Sequence, residues 1–148
     1  MDTPVTITLV RHSGYRFEID FGLDTPQVLS DEPPPLGGAQ GPAPNHLLLA
    51  AVANCLAASL TFALSKFKND PGTLRAVARS TVGRNEEGRL RIERIAVDIT
   101  LPQAGEDYQH LERILEQFEA FCTVSMSVRQ GIAIDVRVTD AQGRVLKG

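Results

Sequence analysis

Apolar and polar positions alternate from the start of the chain, with Val5, Ile7 and Leu9 separated by Thr6 and Thr8. A period of two predicts a half-buried strand. A turn centred on Gly14 follows. Tyr15, Phe17, Ile19 and Phe21 then alternate with Arg16, Glu18 and Asp20 and predict a second strand. A weaker extended piece falls at residues 27–29. The next stretch, "SDEPPPLGGAQGPAP" at residues 30–44, holds five prolines and three glycines, which removes donors and adds backbone freedom. A loop this long inside a domain is usually functional or mobile.

The pattern then changes. "NHLLLAAVANCLAASLTFALSK" carries no charged side chain between His46 and Lys66. Pro44 and Asn45 form a helix start signal and "NDPG" a stop. The run is long enough to span a membrane. However, Ala50, Ala51, Ala53, Asn54, Ala57 and Ala58 dilute its Leu and Phe, and the flanking segments read as amphipathic strands. A helix that is small or apolar all round is otherwise a buried central helix, so no membrane span is expected.

A second strand block covers residues 74–82 and 90–101, joined by the charged turn "RNEEGR". The apolar phase shifts from Leu90 and Ile92 to Ile95, Val97, Ile99 and Leu101, which predicts a bulge near Glu93 and Arg94. Tyr108, Leu111, Leu115 and Phe118 form one stripe of an amphipathic helix. "FCTVSMSVRQG" predicts a short helix ending at Gly131, and "IAIDVRV" an alternating final strand. Strand blocks broken by helices indicate an α+β fold, with an antiparallel-rich sheet and a long buried central helix.

Composition narrows the function classes. The 148 residues suit one domain with one core, residues 1–148. The formal net charge is −3 and there is no Trp, so nothing builds the basic, aromatic-lined face that nucleic acid requires. The first residues lack the basic region and apolar stretch of a secretory signal, and a cytoplasmic location is expected. With two cysteines, Cys55 and Cys122, a disulfide scaffold is excluded.

Taken alone, Cys55 reads first as a small core residue, since free cysteine is among the most buried residue types. Cys122 stands at a break between helices, where helix N-terminal amides stabilise a thiolate. Spacing does not show that the two sulfurs meet. A thiolate metal site built from Cys55, Cys122 and His46 is a further option, but no short C-x-x-C spacing supports it. No metal and no cofactor is expected.

Two motifs carry a resemblance. "GPAPNHLLLAAVANCLAASL", followed far downstream by "CTVSMSVRQGIAIDVRV", resembles the OsmC/Ohr family, marked by a Pro-rich loop, a helix with LLLAA-x-x-x-C, and a later C-x-V-S before a strand. The resemblance covers nearly the whole chain. It implies an intertwined homodimer acting as a two-cysteine peroxidase on organic, lipid-like hydroperoxides, in oxidative stress defence, and reset by a dithiol reductant. By position, Cys55 is then the peroxidatic thiol and Cys122 the resolving one.

In that family an Arg from the N-terminal strands and a Glu early in the long helix activate the thiol. This chain has Asn45 and His46 where the Glu is expected. His46 precedes Cys55 by about 13–14 Å of helix axis and about half a turn, so it cannot touch Cys55 of its own helix. Its functional reading is a Glu substitute that supplies a proton acceptor or, when charged, a cation near the thiol; the plainer reading is a helix-start histidine partly in solvent. Arg16 is the candidate guanidinium, with Arg11 as its rival, and either could be a solvated strand charge. His12 and His110 are given no role, and Arg129 reads as a helix C-terminal charge. The missing Glu leaves an alternative, a homodimer that binds a hydrophobic ligand without turnover.

Overall fold

The computed structural model of the chain describes residues 3–148. Its contacts divide into two units, Met1–Leu48 and Leu49–Gly148. The first unit holds an antiparallel sheet of β1 (Thr8–Ser13), β2 (Arg16–Asp20) and β3 (Val28–Ser30), in the order β1-β2-β3. The first strand starts at Thr8, later than the alternation from Val5 predicted. Gly14 makes the β1–β2 turn with φ of 54°, in the left-handed region where glycine carries no Cβ penalty.

The Pro/Gly loop of this unit is irregular but pinned. Asp31 is buried, and its carboxylate accepts the backbone N–H groups of Glu32, Gly38 and Gln40 at 2.8, 3.1 and 3.1 Å. Burial alone pushes that carboxyl's pKa up. The three amides and the nearby Arg16 charge more than offset it, so the net shift is downward. Gly41 passes so close to the Leu29 carbonyl that any Cβ there would collide with it.

Helix α1 (Pro44–Lys66) begins where the Pro/Asn signal places it, and the unit boundary falls within it. By length and composition it is apolar enough to cross a membrane. Here its Val52, Leu56, Leu60 and Leu64 form a wholly buried stripe with helical spacing.

The second unit contains a sheet in the order β4-β5-β6-β7, from β4 (Arg75–Arg84), β5 (Leu90–Thr100), β6 (Ala133–Thr139) and β7 (Val145–Lys147). Pairing along β4–β5 jumps from Thr81↔Arg94 to Val82↔Ile92, leaving Glu93 unpaired. That is the bulge the phase shift predicted, and it turns Ile95, Val97 and Ile99 to the buried face. Helices α2 (Leu111–Gln117) and α3 (Thr123–Val128) are separated by a 3₁₀ turn at Phe118–Phe121. They form the crossover that makes β6 parallel to β5, while the other pairs are antiparallel.

Strand β7 has no counterpart in the sequence expectations. "VLK" is too short for a periodicity signal, and tertiary contacts hold it. Lys147 Nζ donates to the Leu115 carbonyl and meets Glu119 Oε2, both at 2.6 Å, while Arg129 Nη2 reaches Glu119 Oε1 at 2.9 Å. Asp140, also buried, holds the preceding turn by accepting the amides of Gly105, Gln142 and Arg144.

Candidate functional site

Cys55 lies beside Leu56 on the flank of the buried stripe of α1, and is half-buried. Cys122 is fully buried. The 3₁₀ turn ends at Cys122, whose extended backbone (φ −83°, ψ 99°) makes it the N-cap of α3. Its Sγ accepts the Ser125 N–H at 3.4 Å, and its carbonyl accepts the Met126 N–H at 3.0 Å. A sulfur thus takes the place usually held by a Ser or Asp oxygen.

The Cys55 side chain lies near that of Cys122 and near the amides of Val124 and Ser125. Folding therefore joins two thiols that stand far apart in sequence. Burial pushes the Cys55 thiol pKa up, and the hydrogen bond to Cys122 adds to this. The Val124 and Ser125 amides act the other way but do not reverse it. None of these groups is a cation.

The other candidates have local partners. Arg16 is exposed and donates from Nη2 to Ser13 Oγ at 2.7 Å. Arg11 donates from Nε to the Gly14 carbonyl at 3.0 Å. The exposed His46 accepts the Ala43 N–H on Nδ1 at 3.1 Å, which ties the helix start. The Asn45 Oδ1 is buried and, among the described residues, has no hydrogen-bond partner. All four belong to the first unit, both cysteines to the second. Arg129 is the C-cap of α3 and pairs with Glu119, and His12 pairs with Glu18 at 2.8 Å. Among the described residues no three His, Cys, Asp or Glu side chains group as metal ligands.

Cys55 opens onto a cavity of about 410 Å³ walled by Phe62, Phe67, Ile114, Phe118 and Phe121. Phe62 and Phe121 are 70% and 76% exposed, so the aromatic wall reaches the surface. Sequence reasoning missed these residues as a group. Phe62 carries a signal, two helical turns beyond Cys55 on the same face. Phe121 carries none, because the 3₁₀ turn sets its direction. A second hollow of about 400 Å³, lined by Leu111, Glu112, Leu115, Glu116, Leu146 and Lys147, holds no thiol.

The comparisons with known proteins agree on the fold. An osmotic stress induced and detoxification response protein of Psychrobacter arcticus, described as putative, superposes with a TM-score of 0.78 at 16% identity, covering 93% of this chain and 98% of its own. An OsmC-like protein of Mycoplasma pneumoniae matches with a TM-score of 0.75 at 20% identity, covering 95% and 99%. The organic hydroperoxide resistance protein OhrB of Bacillus subtilis matches at 0.69 and 14% identity, covering 92% and 98%. No curated protein sequence matches. The family model described as OsmC-like protein matches residues 37–137, which takes in the end of the Pro/Gly loop, α1 and both cysteines, and the chain belongs to the OsmC family.

Proposed function

We propose that this protein is a two-cysteine thiol peroxidase for organic, lipid-like hydroperoxides. The observation that carries the reading is that Cys55 and Cys122 are neighbours and that Cys55 lines an aromatic cavity. The Cys55 thiolate attacks the terminal peroxide oxygen and the O–O bond breaks. The departing alkoxide takes a proton and leaves as an alcohol, and Cys55 becomes a sulfenic acid. Cys122 sulfur then attacks the sulfenic sulfur, an S–S bond forms, and water leaves. The peroxide gains two electrons and the two thiols lose two, which an external dithiol restores. Half-buried Cys55 faces the cavity while Cys122 is sealed, which favours Cys55 as the attacking sulfur.

A raised Cys55 pKa works against this chemistry, because the thiolate is the nucleophile. Arg16 is the guanidinium we assign to offset it, and His46 the proton acceptor in place of the family Glu. The working form is a homodimer in which each chain acts as a single domain. Its support is apolar surface left open on one copy: Leu9 and Val10 on β1, with Phe62 and Phe121 beside the cavity. A reducing compartment such as the cytoplasm keeps both thiols available. The presence of hydroperoxide resistance proteins among the structural neighbours agrees with a role in oxidative stress defence.

The test is to add one equivalent of cumene hydroperoxide to reduced protein and count free thiols. Loss of both thiols, abolished by Cys55→Ser, is expected; unchanged thiols would end the peroxidase reading. The raised thiol pKa favours a second reading, a binder of hydrophobic ligands without turnover. Co-purified lipid on inert thiols in native mass spectrometry would support it.

A further inference from the structure

The charges beside the Pro/Gly loop are unevenly matched. His12 pairs with Glu18 at 2.8 Å, whereas Arg16, which lines the same hollow of the first sheet, makes no ion pair among the described residues. Its Nη2 donates to the neutral Ser13 Oγ, a single bond on an exposed and rotamer-rich side chain.

A fixed negative charge lies across from it. The β2–β3 register ends at Phe17↔Ser30, and one further step sets Arg16 opposite Asp31. Directly opposed residues bring their Cβ atoms to about 4.5–5.5 Å. The two side chains form no ion pair here, yet the Arg16 charge helps to draw the Asp31 pKa down. Asp31 itself is locked. Its carboxylate accepts the amides of Glu32, Gly38 and Gln40, its own N–H donates to the Pro42 carbonyl at 3.2 Å, and a Cβ on Gly37 would strike its Oδ1.

We propose that Asp31 is the positioning residue for Arg16, an immobile carboxylate whose field draws the mobile guanidinium to the loop side of the first sheet. That this placement serves turnover rests on the peroxidase reading, in which Arg16 supplies the cation; the coupling of the two charges does not.

The rival is a plain loop anchor. The segment that Asp31 ties down runs through Pro42 to Ala43, whose N–H is held by His46 Nδ1 at 3.1 Å, so loosening it displaces His46 whatever Arg16 does. Asp31→Asn does loosen it, because either orientation of the side-chain amide turns an NH2 onto a backbone N–H. A double-mutant cycle separates the two roles.

The cycle compares Asp31→Asn, Arg16→Gln and the double variant in turnover of cumene hydroperoxide with a dithiol. Asp31→Asn should lower kcat by a factor roughly two- to fivefold larger in the parent than in Arg16→Gln, the size of a charge pair with an exposed partner. Added salt should shrink that excess. Equal factors in both backgrounds would leave a plain anchor and overturn the proposal.

A second measurement needs neither turnover nor a change at Asp31. Carbon-13 NMR follows the Asp31 carboxyl through its titration in the parent and in Arg16→Gln, whose exposed position leaves the core alone. His12, Glu18 and Glu32, the other charged groups beside the pair, are the same in both proteins. The midpoint should rise in Arg16→Gln, and an unmoved midpoint would overturn the proposal even with normal turnover. Inert thiols under cumene hydroperoxide with a raised midpoint would remove the peroxidase reading and leave the placement of Arg16 by Asp31 standing.

Discussion

The thiol of Cys55 neighbours that of Cys122, whose sulfur N-caps α3 by accepting the Ser125 N–H at 3.4 Å, and the Val124 and Ser125 amides act on the Cys55 thiol as well. The Ser125 N–H that binds Cys122 also faces Cys55, so one helix start serves two sulfurs.

Removing the second sulfur should split the proposed cycle. In Cys122→Ser the first attack on cumene hydroperoxide still occurs, but the sulfenic acid on Cys55 has no thiol to condense with. Dimedone should label Cys55 in this variant and not in the parent. Steady-state turnover with a dithiol should fall, because the sulfenic acid must wait for an external thiol. Parent-like turnover would show that Cys122 is not the resolving thiol.

The pH dependence of Cys55 follows from the direction of its shift. Its pKa lies above the ordinary thiol value of 9.0, through burial first and the Cys122 hydrogen bond second. A raised pKa leaves the unreactive neutral thiol in place at neutral pH. Alkylation of Cys55 by iodoacetamide should therefore keep rising with pH beyond 9.0. Cys122→Ala removes the hydrogen bond, and the profile should move to lower pH. An unmoved profile would mean that burial alone sets the shift.

Glu119 offers a stability test. Burial raises its pKa, but Lys147 and Arg129 more than compensate, so it lies below the ordinary glutamate value of 4.5. A lowered carboxyl pKa means that the folded state favours the anion. The resulting stability is present above 4.5 and is lost as pH falls through the folded value. Glu119→Gln should cost about 1–3 kcal/mol at pH 7, because it leaves partly buried cations unpaired. In urea melts the deficit should shrink as the pH drops below 4.5.

The buried stripe of α1 can be tested by truncation. Leu60 is wholly buried, and Leu60→Ala should cost about 2–5 kcal/mol in denaturant melts. A loss under 1 kcal/mol would mean that the α1 stripe is not held in a packed interior.

Much of this architecture was legible in the chain itself. Alternation gave β2 and β6, and the phase change after Ile92 pointed to the bulge at Glu93. The Pro/Gly loop and the limits of α1 came from residues that forbid or start a helix. Local pattern was silent on β7, and it missed the parallel pairing of β6, which depends on the crossover through α2 and α3.

The candidate site divides in the same way. The order of residues, read for period and for breakers, determined the elements of the α+β fold and placed one cysteine mid-helix and the other at a helix start. Backbone preference acts over a few neighbours, so such features survive without a partner. Tertiary structure alone decided that the two thiols are neighbours, that burial raises the Cys55 pKa, and that Phe62, Phe121 and Lys66 share one cavity. Those relations depend on distances between segments remote along the chain, and only packing sets such distances.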